Sequence, residues 1–263
     1  MLLSFDSGVS ALEQYQQQLN VIANNIANVN TVGFKAANVS FADTLSETLG
    51  SNATGSQQVG TGVVISGITN DFSTPGSISS TGVQTDLAIQ GNGFFVVKDP
   101  TSGQSYVTQD GTFSLDQNGY LINSQGMRVQ GSTGDIQITG TGTANVSSYQ
   151  IGTDGNITVN LSDGTSTTAG QITLQNFTNP DQLVKVGGNL YTATAAAGGL
   201  SAAVAPGSSG TGQIASGYLE MSNVDLASQL TSLITTQRAY EANSKVITTS
   251  DDVLQTLVNL KQG

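Results

Sequence analysis

Two apolar series with sevenfold spacing, one at each end of the chain, constrain this fold more than any other feature of the sequence. Phe5, Leu12, Leu19 and Ile26 recur at intervals of seven, and Tyr15, Ile22 and Val29 form a second series three positions on. From Leu12 onward the alternating steps of three and four lay one narrow apolar stripe along a helix. The far end repeats the pattern with Leu219, Leu226, Leu233, Tyr240, Ile247 and Leu254, and with Leu230 and Val258 in the second series. Such stripes are buried against each other or against neighbouring copies, and heptads do not distinguish a partner in cis from one in trans. The predicted fold class is α+β: N- and C-terminal helices paired as a coiled-coil-like rod, with an inserted all-β domain of sandwich or barrel-like type.

The first helix is predicted from Leu3 or Ser4 to the Asn28–Thr31 region. Between its stripe positions stand Gln14, Gln16, Gln17, Gln18, Asn20, Asn24, Asn25 and Asn28 instead of the usual Lys and Glu. Amides suit a surface that lies against other protein, because they can hydrogen-bond where a buried charge would be costly. Asn-rich sequence forms helix poorly, so this helix is expected to be marginal alone and to order on assembly. Gly33 is the expected helix stop, with Phe34 packing back.

Residues 36–72 are expected to be a connector, with an amphipathic piece over 38–49, a flexible or extended Ser/Gly/Gln-rich stretch over 50–62, and a strand over 63–68. Residues 73–216 read as the β domain. Its short strand-like runs are punctuated by Asn92-Gly93, Asp110-Gly111, Asn118-Gly119, Asp154-Gly155 and Asp163-Gly164, dipeptides that accept φ > 0 in hairpin turns. Asn118-Gly119 is expected to form a type I′ turn, and residues 194–212 a surface loop. The remaining domains are an N-terminal helix over 1–35 and a C-terminal helix over 217–263, capped near Ser222–Asp225.

Composition narrows the chemistry. The 263 residues include no His and no Cys, which removes the commonest neutral-pH bases, thiol nucleophiles and soft metal ligands. No enzymatic activity and no cofactor are predicted. Seven basic against eighteen acidic residues give a net charge of −11, which opposes binding to nucleic acid and to anionic membranes. No apolar run is long enough to span a bilayer, and the first residues show no cleavable secretory signal.

Local candidates for binding chemistry fall to simpler readings. Asp154-Gly155-Asn156 and Asp163-Gly164 lack the alternating ligands and closing Glu of a calcium loop, and Gly91-Asn92-Gly93 lacks the third glycine and helix of a nucleotide fold. Asp251 and Asp252 diverge by about 100° around a helix and do not form an acid/base pair. Glu241 and Lys245 are spaced as a helix-stabilising pair. Arg238, one of two arginines, is either a surface charge or a fork reaching a neighbouring subunit.

Three stretches resemble the bacterial flagellar axial proteins, the rod and hook subunits. They are Ile22–Lys35 (IANNIANVNTVGFK), Asp86–Phe95 (DLAIQGNGFF) and Gln237–Lys245 (QRAYEANSK), in the family's order. The resemblance implies a structural subunit that assembles with copies of itself into a helical tube, terminal helices inside and β domain outside. It implies neighbouring axial proteins as partners (rod, hook cap, hook–filament junction), export through the flagellar type III apparatus without a cleaved signal, and location in the hook or basal body. Asn24, Asn25, Asn28, Gly33, Phe34 and Lys35 are the family-motif positions. Phe5, Leu12, Leu19, Ile22, Ile26, Leu226, Leu230, Leu233, Arg238, Tyr240, Ile247 and Leu254 are the expected subunit interface.

Within the family, Phe41–Leu45, the short connector and Gly67–Phe72 resemble the hook protein, making a torque-transmitting hook subunit the first reading. The single modest β domain resembles the distal rod protein, the alternative. Competing classes are a β-rich adhesin or tail-fibre protein with a self-contained coiled coil, and a carbohydrate-active enzyme. The connector at 50–62 is expected to set whether a tube bends, and Leu19→Asp to block polymerisation of a folded monomer.

Overall fold

The computed structural model describes residues 2–52, 55–139, 146–198, 200 and 203–262. They divide into a helical unit (Met1–Asn28, Ala36–Asp71, Val224–Gly263) and a β unit (Val29–Lys35, Phe72–Asn223).

The helical unit contains α1 (Leu2–Ala27), β1 (Ala37–Asp43), β2 (Ser46–Asn52), β3 (Gly55–Gly60), β4 (Val63–Asn70) and α2 (Leu226–Gln262). The two helices are antiparallel neighbours. A Cβ on Gly8 would lie 3.2 Å from the Ile247 side chain, whereas Asn25 Nδ2 lies 3.2 Å from Gln229 Oε1. With 37 residues against 26, α2 runs past the start of α1. Asp225 caps α2, its Oδ1 accepting the Ala227 N–H at 2.9 Å.

The expected connector is instead two successive antiparallel ladders. β1 pairs with β4 from Ala37↔Asn70 to Asp43↔Val63, with a bulge between Ser40 and Phe41. β2 then pairs with β3 from Ser46↔Gly60 to Asn52↔Gly55; residues 53–54 of the expected connector lie outside the described residues. Ser-, Gly- and Gln-rich strands held by backbone pairing carry no hydrophobic alternation, which is why the composition mimics a linker.

The β unit contains β5 (Ile78–Ser80), β6 (Leu87–Gln90), β7 (Phe94–Lys98), β8 (Ser105–Thr108), β9 (Phe113–Leu115), β10 (Leu121–Asn123), β11 (Arg128–Gly131), β12 (Gly134–Asp135), β13 (Val146–Ile151), β14 (Asn156–Leu161), β15 (Ser166–Gln171), β16 (Leu174–Gln175), β17 (Val184–Gly187), β18 (Leu190–Thr192), β19 (Gln213–Ser216) and β20 (Tyr218–Glu220). All pairings among the described residues are antiparallel. The largest sheet runs β17-β18-β8-β7-β11-β10-β9, with β12 on β11 and β16 on β7; β13-β14-β15 form a second sheet, and β19 and β20 pair with β6 and β5. The expected sandwich or barrel is therefore one dominant sheet with smaller ladders around it.

β7 sits at the centre because both its faces are apolar. Phe95 and Val97 enter one cluster with Leu87, Phe113, Leu121 and Ile157, while Phe94 and Val96 enter a second with Phe72, Phe177 and Tyr191. Aromatic edges meet faces throughout: Phe72 packs on Phe94 and Tyr191 at 5.2 Å, and Phe95 on Phe113 at 5.2 Å. Burial pushes the Tyr191 hydroxyl up to about 12.

Three local expectations change. At Asn118-Gly119 only the glycine has positive φ (79°), and Gly119 N–H donates to Asp116 O at 2.8 Å, so a type I turn and glycine bulge replace the type I′ turn. Ala197 is fully buried in the second cluster, so residues 194–212 are not wholly surface loop; residues 199 and 201–202 lie outside the described residues. Leu219 is buried in β20, so the C-terminal sevenfold series enters helix only at Leu226, and residues 217–225 precede it.

Candidate assembly surface

In the helical unit the N-terminal motif builds a joint. Asn25 is 1% exposed. Its Oδ1 accepts the Ala37 N–H at 2.9 Å, and its Nδ2 donates to Ala37 O at 2.9 Å and to Gln229 Oε1 at 3.2 Å. One carboxamide thus completes the start of β1 as a neighbouring strand would, and ties α2 to α1. Asn28 closes the end of α1, its N–H and Nδ2 both donating to Asn24 O, at 3.2 and 2.8 Å. Farther up the helix Gln14 Oε1 accepts the Ile65 N–H at 3.0 Å, and Tyr15 packs on Phe41 with ring centroids 6.0 Å apart. Some of the amides expected to face other subunits are therefore used inside the chain to hold β1 and β4. Gln16, Gln17, Asn20 and Asn24 remain exposed.

Of the expected interface residues, Ile22 is buried, and Phe5, Leu12, Leu19, Ile26, Leu233 and Ile247 are half-buried. Leu226, Leu230, Tyr240 and Leu254 are exposed, Leu230 by 48%. The sevenfold series therefore mixes two surfaces. Leu233, Thr236 and Ile247 turn inward, while Leu226, Leu230 and Ile234 form an exposed row in steps of four. Ile234, at 59% exposure, was not among the expected residues, nor were Val246 and Val253. A step of four from Leu230 is the signal that reveals Ile234; counting by sevens skips it. Arg238 and Glu241 form an exposed ion pair at 2.9 Å, in place of the expected Glu241–Lys245 pair. Such a pair contributes under about 1 kcal/mol.

The end of the same motif belongs to the β unit. Gly33 is not the stop of α1, which ends at Ala27. Its φ is +65°, and a Cβ there would come within 2.7 to 2.9 Å of the Asp110 and Gln109 backbone, so only glycine fits. Its N–H donates to Glu220 O at 2.8 Å, and Val32 O accepts Asn189 Nδ2 at 2.7 Å. Phe34 is buried, with Lys185 Nζ 4.2 Å from its ring centroid; burial lowers the Lys185 pKa.

Lys35 is the element that sequence alone places least well. It is 2% exposed and bonded to Glu220 Oε1 at 2.8 Å. Glu220 Oε1 also accepts the Gly76 N–H at 2.7 Å, Lys35 Nζ reaches Thr74 O at 3.4 Å, and Asn223 Nδ2 donates to Thr74 O at 3.0 Å. Three segments distant in sequence converge on one buried ion pair. Next to them Asp110 has its pKa raised, first by burial and also by the nearby Asp86 carboxylate.

The acidic turns are occupied by their own backbone. Asp154 Oδ1 accepts the Asn156 N–H at 3.1 Å, and Asp163 Oδ1 the Thr165 N–H at 3.0 Å. No helix among the described residues is long and apolar enough to cross a membrane.

The helical unit thus presents a helix pair with exposed apolar rows, and the β unit encloses a core of its own. Family models match at three places: flagella basal body rod protein over residues 5–35, the flagellar hook protein FlgE/F/G D1 domain over 88–159, and the flagellar basal body rod FlgEFG protein C-terminal region over 215–260. The flagellar basal-body rod protein FlgG of Bacillus subtilis is 43% identical over 271 positions, covering all of both chains. That of Buchnera aphidicola from Acyrthosiphon pisum is 40% identical over 95% of this chain and 96% of its own. The flagellar hook protein FlgE of Salmonella typhimurium is 27% identical, covering 98% of this chain and 100% of its own over a 416-position alignment. The chain belongs to the flagellar rod and hook axial-protein family, a family of structural subunits of the flagellar basal body and hook.

These relatives correct the balance between hook and rod. The FlgG chains match at 40–43% identity over 95–100% of this chain, whereas the hook protein matches at 27%. The local hook-like stretches at Phe41–Leu45 and Gly67–Phe72 are outweighed by whole-chain similarity.

Proposed function

We propose that this chain is a subunit of the distal flagellar rod, polymerising through its helical unit into a torque-transmitting tube. The α1–α2 pair acts in it as a coiled-coil-like element of the inner wall. Export through the type III apparatus and contact with adjacent rod and hook subunits follow from the same reading. The observation that carries it is the full-length 43% identity to a FlgG rod protein. The row Leu226, Leu230 and Ile234 supports it, since exposed apolar side chains in register on a helix match helix-to-helix contact between copies.

Leu230→Asp tests the reading more cleanly than Leu19→Asp, because Leu19 is already half-buried inside the subunit. The expected outcome is an unchanged monomer by circular dichroism and no polymer by sedimentation or electron microscopy. Polymer formed at the wild-type concentration would overturn the assembly surface. Wild-type polymers are expected to be straight, and uniformly curved tubes would favour the hook.

A further inference from the structure

The sequence sets Asn directly before Gly twice, at Asn92-Gly93 and Asn118-Gly119, and neither pair takes part in the assembly surface. In this arrangement a backbone nitrogen attacks the side-chain amide of the residue before it most readily, because glycine puts no Cβ beside the attacking atom. In a folded chain the reaction then depends on whether nitrogen and amide are free to meet.

The two pairs differ on that point. In the β9–β10 turn both groups are tied, Gly119 N–H donating to Asp116 O at 2.8 Å and Asn118 Nδ2 to Asp116 Oδ2 at 3.3 Å. Between β6 and β7, neither the Gly93 N–H nor the Asn92 carboxamide has a hydrogen-bond partner among the described residues. What is held there is the pair of flanking carbonyls. Asn92 O accepts the Gly212 N–H at 2.7 Å, and Gly93 O accepts Gln109 Nε2 at 3.2 Å. Asn92 is exposed, and with Gly91 and Gly93 it lines a cavity of about 420 Å³ in the β unit, which gives water a route to this peptide.

We propose that Asn92 is a site of self-modification, converting through a cyclic imide to aspartate and isoaspartate. Gly93 N bonds to Asn92 Cγ as the Cγ–Nδ2 bond breaks, and the proton from Gly93 N leaves with the amide as ammonia. Water then opens the imide. Attack at Cγ gives aspartate; attack at the main-chain carbonyl gives isoaspartate, whose backbone is longer by a methylene. Either product adds a negative charge at the cavity. The isoaspartyl form also turns the carbonyl that holds Gly212 into a carboxylate, beside the β6–β19 ladder.

The wild-type chain, folded and incubated in mildly alkaline buffer, tests this by tryptic peptide mass spectrometry, with fragment ions reading amide-to-acid conversion at each Asn separately. Asn92 is expected to convert about tenfold faster than Asn118, the worth of the hydrogen bond that must open first at Gly119. In urea, where both pairs are free, the two rates are expected to converge. Asn92→Gln, whose longer side chain disfavours the five-membered ring, should abolish the fast-growing acidic isoform seen on ion exchange. Equal rates at Asn92 and Asn118 in the folded chain would overturn the proposal. So would a ratio that persists in urea, or an acidic isoform that grows in Asn92→Gln at the wild-type rate.

Discussion

The β unit and the helical unit treat their apolar residues in opposite ways. In the β unit, Leu87, Phe95, Val97, Leu121, Ile157 and Leu174 are each fully enclosed. In the helical unit, Ile22 is the buried large aliphatic of α1 among the residues whose burial is described, while α2 leaves Leu230, Ile234, Val253 and Val258 between 45 and 59% exposed. One region meets its own demand for burial; the other leaves part of it unmet within one chain. The difference teaches where to look for polar side chains as well. In the β unit they lock the chain to itself at Lys35 and Glu220, and in the helical unit they join elements at Asn25 and leave the outer rows bare.

If that contrast holds, damage to the β unit should show as unfolding, and damage to the outer rows as lost assembly. Lys35→Met, which strands the buried Glu220 carboxylate, is expected to cost the β unit about 3–5 kcal/mol in urea denaturation followed by tyrosine fluorescence. Adding Glu220→Leu should restore much of the loss. Equal loss in the double variant would show that the pair's packing matters more than its charge. Gly33→Ala should cost roughly 2–3 kcal/mol, because strained φ and backbone contact at Asp110 act together; a loss within experimental error would mean the 29–35 segment is not docked in solution.

Asn25→Ala should act on the other unit, lowering its stability by about 1–3 kcal/mol, read in a Tyr15→Phe, Tyr240→Phe background, where the remaining tyrosines lie in the β unit, as loss of far-ultraviolet helical signal with the tyrosine transition unmoved. A shift of both transitions would make the units one cooperative body. The smallest effect is expected at Asp110. Its folded pKa lies above the unfolded value, so ionisation disfavours the folded state at neutral pH, and that penalty disappears as pH falls through the raised pKa. Asp110→Asn keeps an acceptor for the Thr112 N–H, which Asp110 Oδ1 accepts at 2.9 Å. It should raise the melting temperature at pH 7 and lose that advantage toward pH 3; a constant difference across pH would remove the electrostatic cause.

The helices were legible because their period repeats over many turns, and the hairpins at Asn118-Gly119, Asp154-Gly155 and Asp163-Gly164 because those dipeptides declare themselves; Asn92-Gly93 and Asp110-Gly111, expected as hairpin turns too, join strands that pair elsewhere. Strands such as β15, Ser166–Gln171, were not, since a run of Ser, Thr, Ala, Gly and Gln has no apolar face to betray its period. The site was half legible. The family motif singled out Asn25, Gly33, Phe34 and Lys35, but no local pattern tells that the first of these joins helix to strand and the other three insert into a different unit. Lys35 finds its counter-ion 185 positions away, and pairings at that separation leave no mark on neighbouring residues. The exposed row through Ile234 failed for a simpler reason: a straight helix follows 3.6 residues per turn, and a strict count of seven drifts off it.

The separation of Lys35 from Glu220 also sets a timetable. A ribosome releases the chain from its first residue onward, so the ammonium emerges long before the carboxylate that will neutralise it, and β5 and β6 must likewise wait for β20 and β19. The central sheet, drawn from residues 94–192, can pair before then, so the β19 and β20 contacts and the buried ion pair are the last to be added to the β unit.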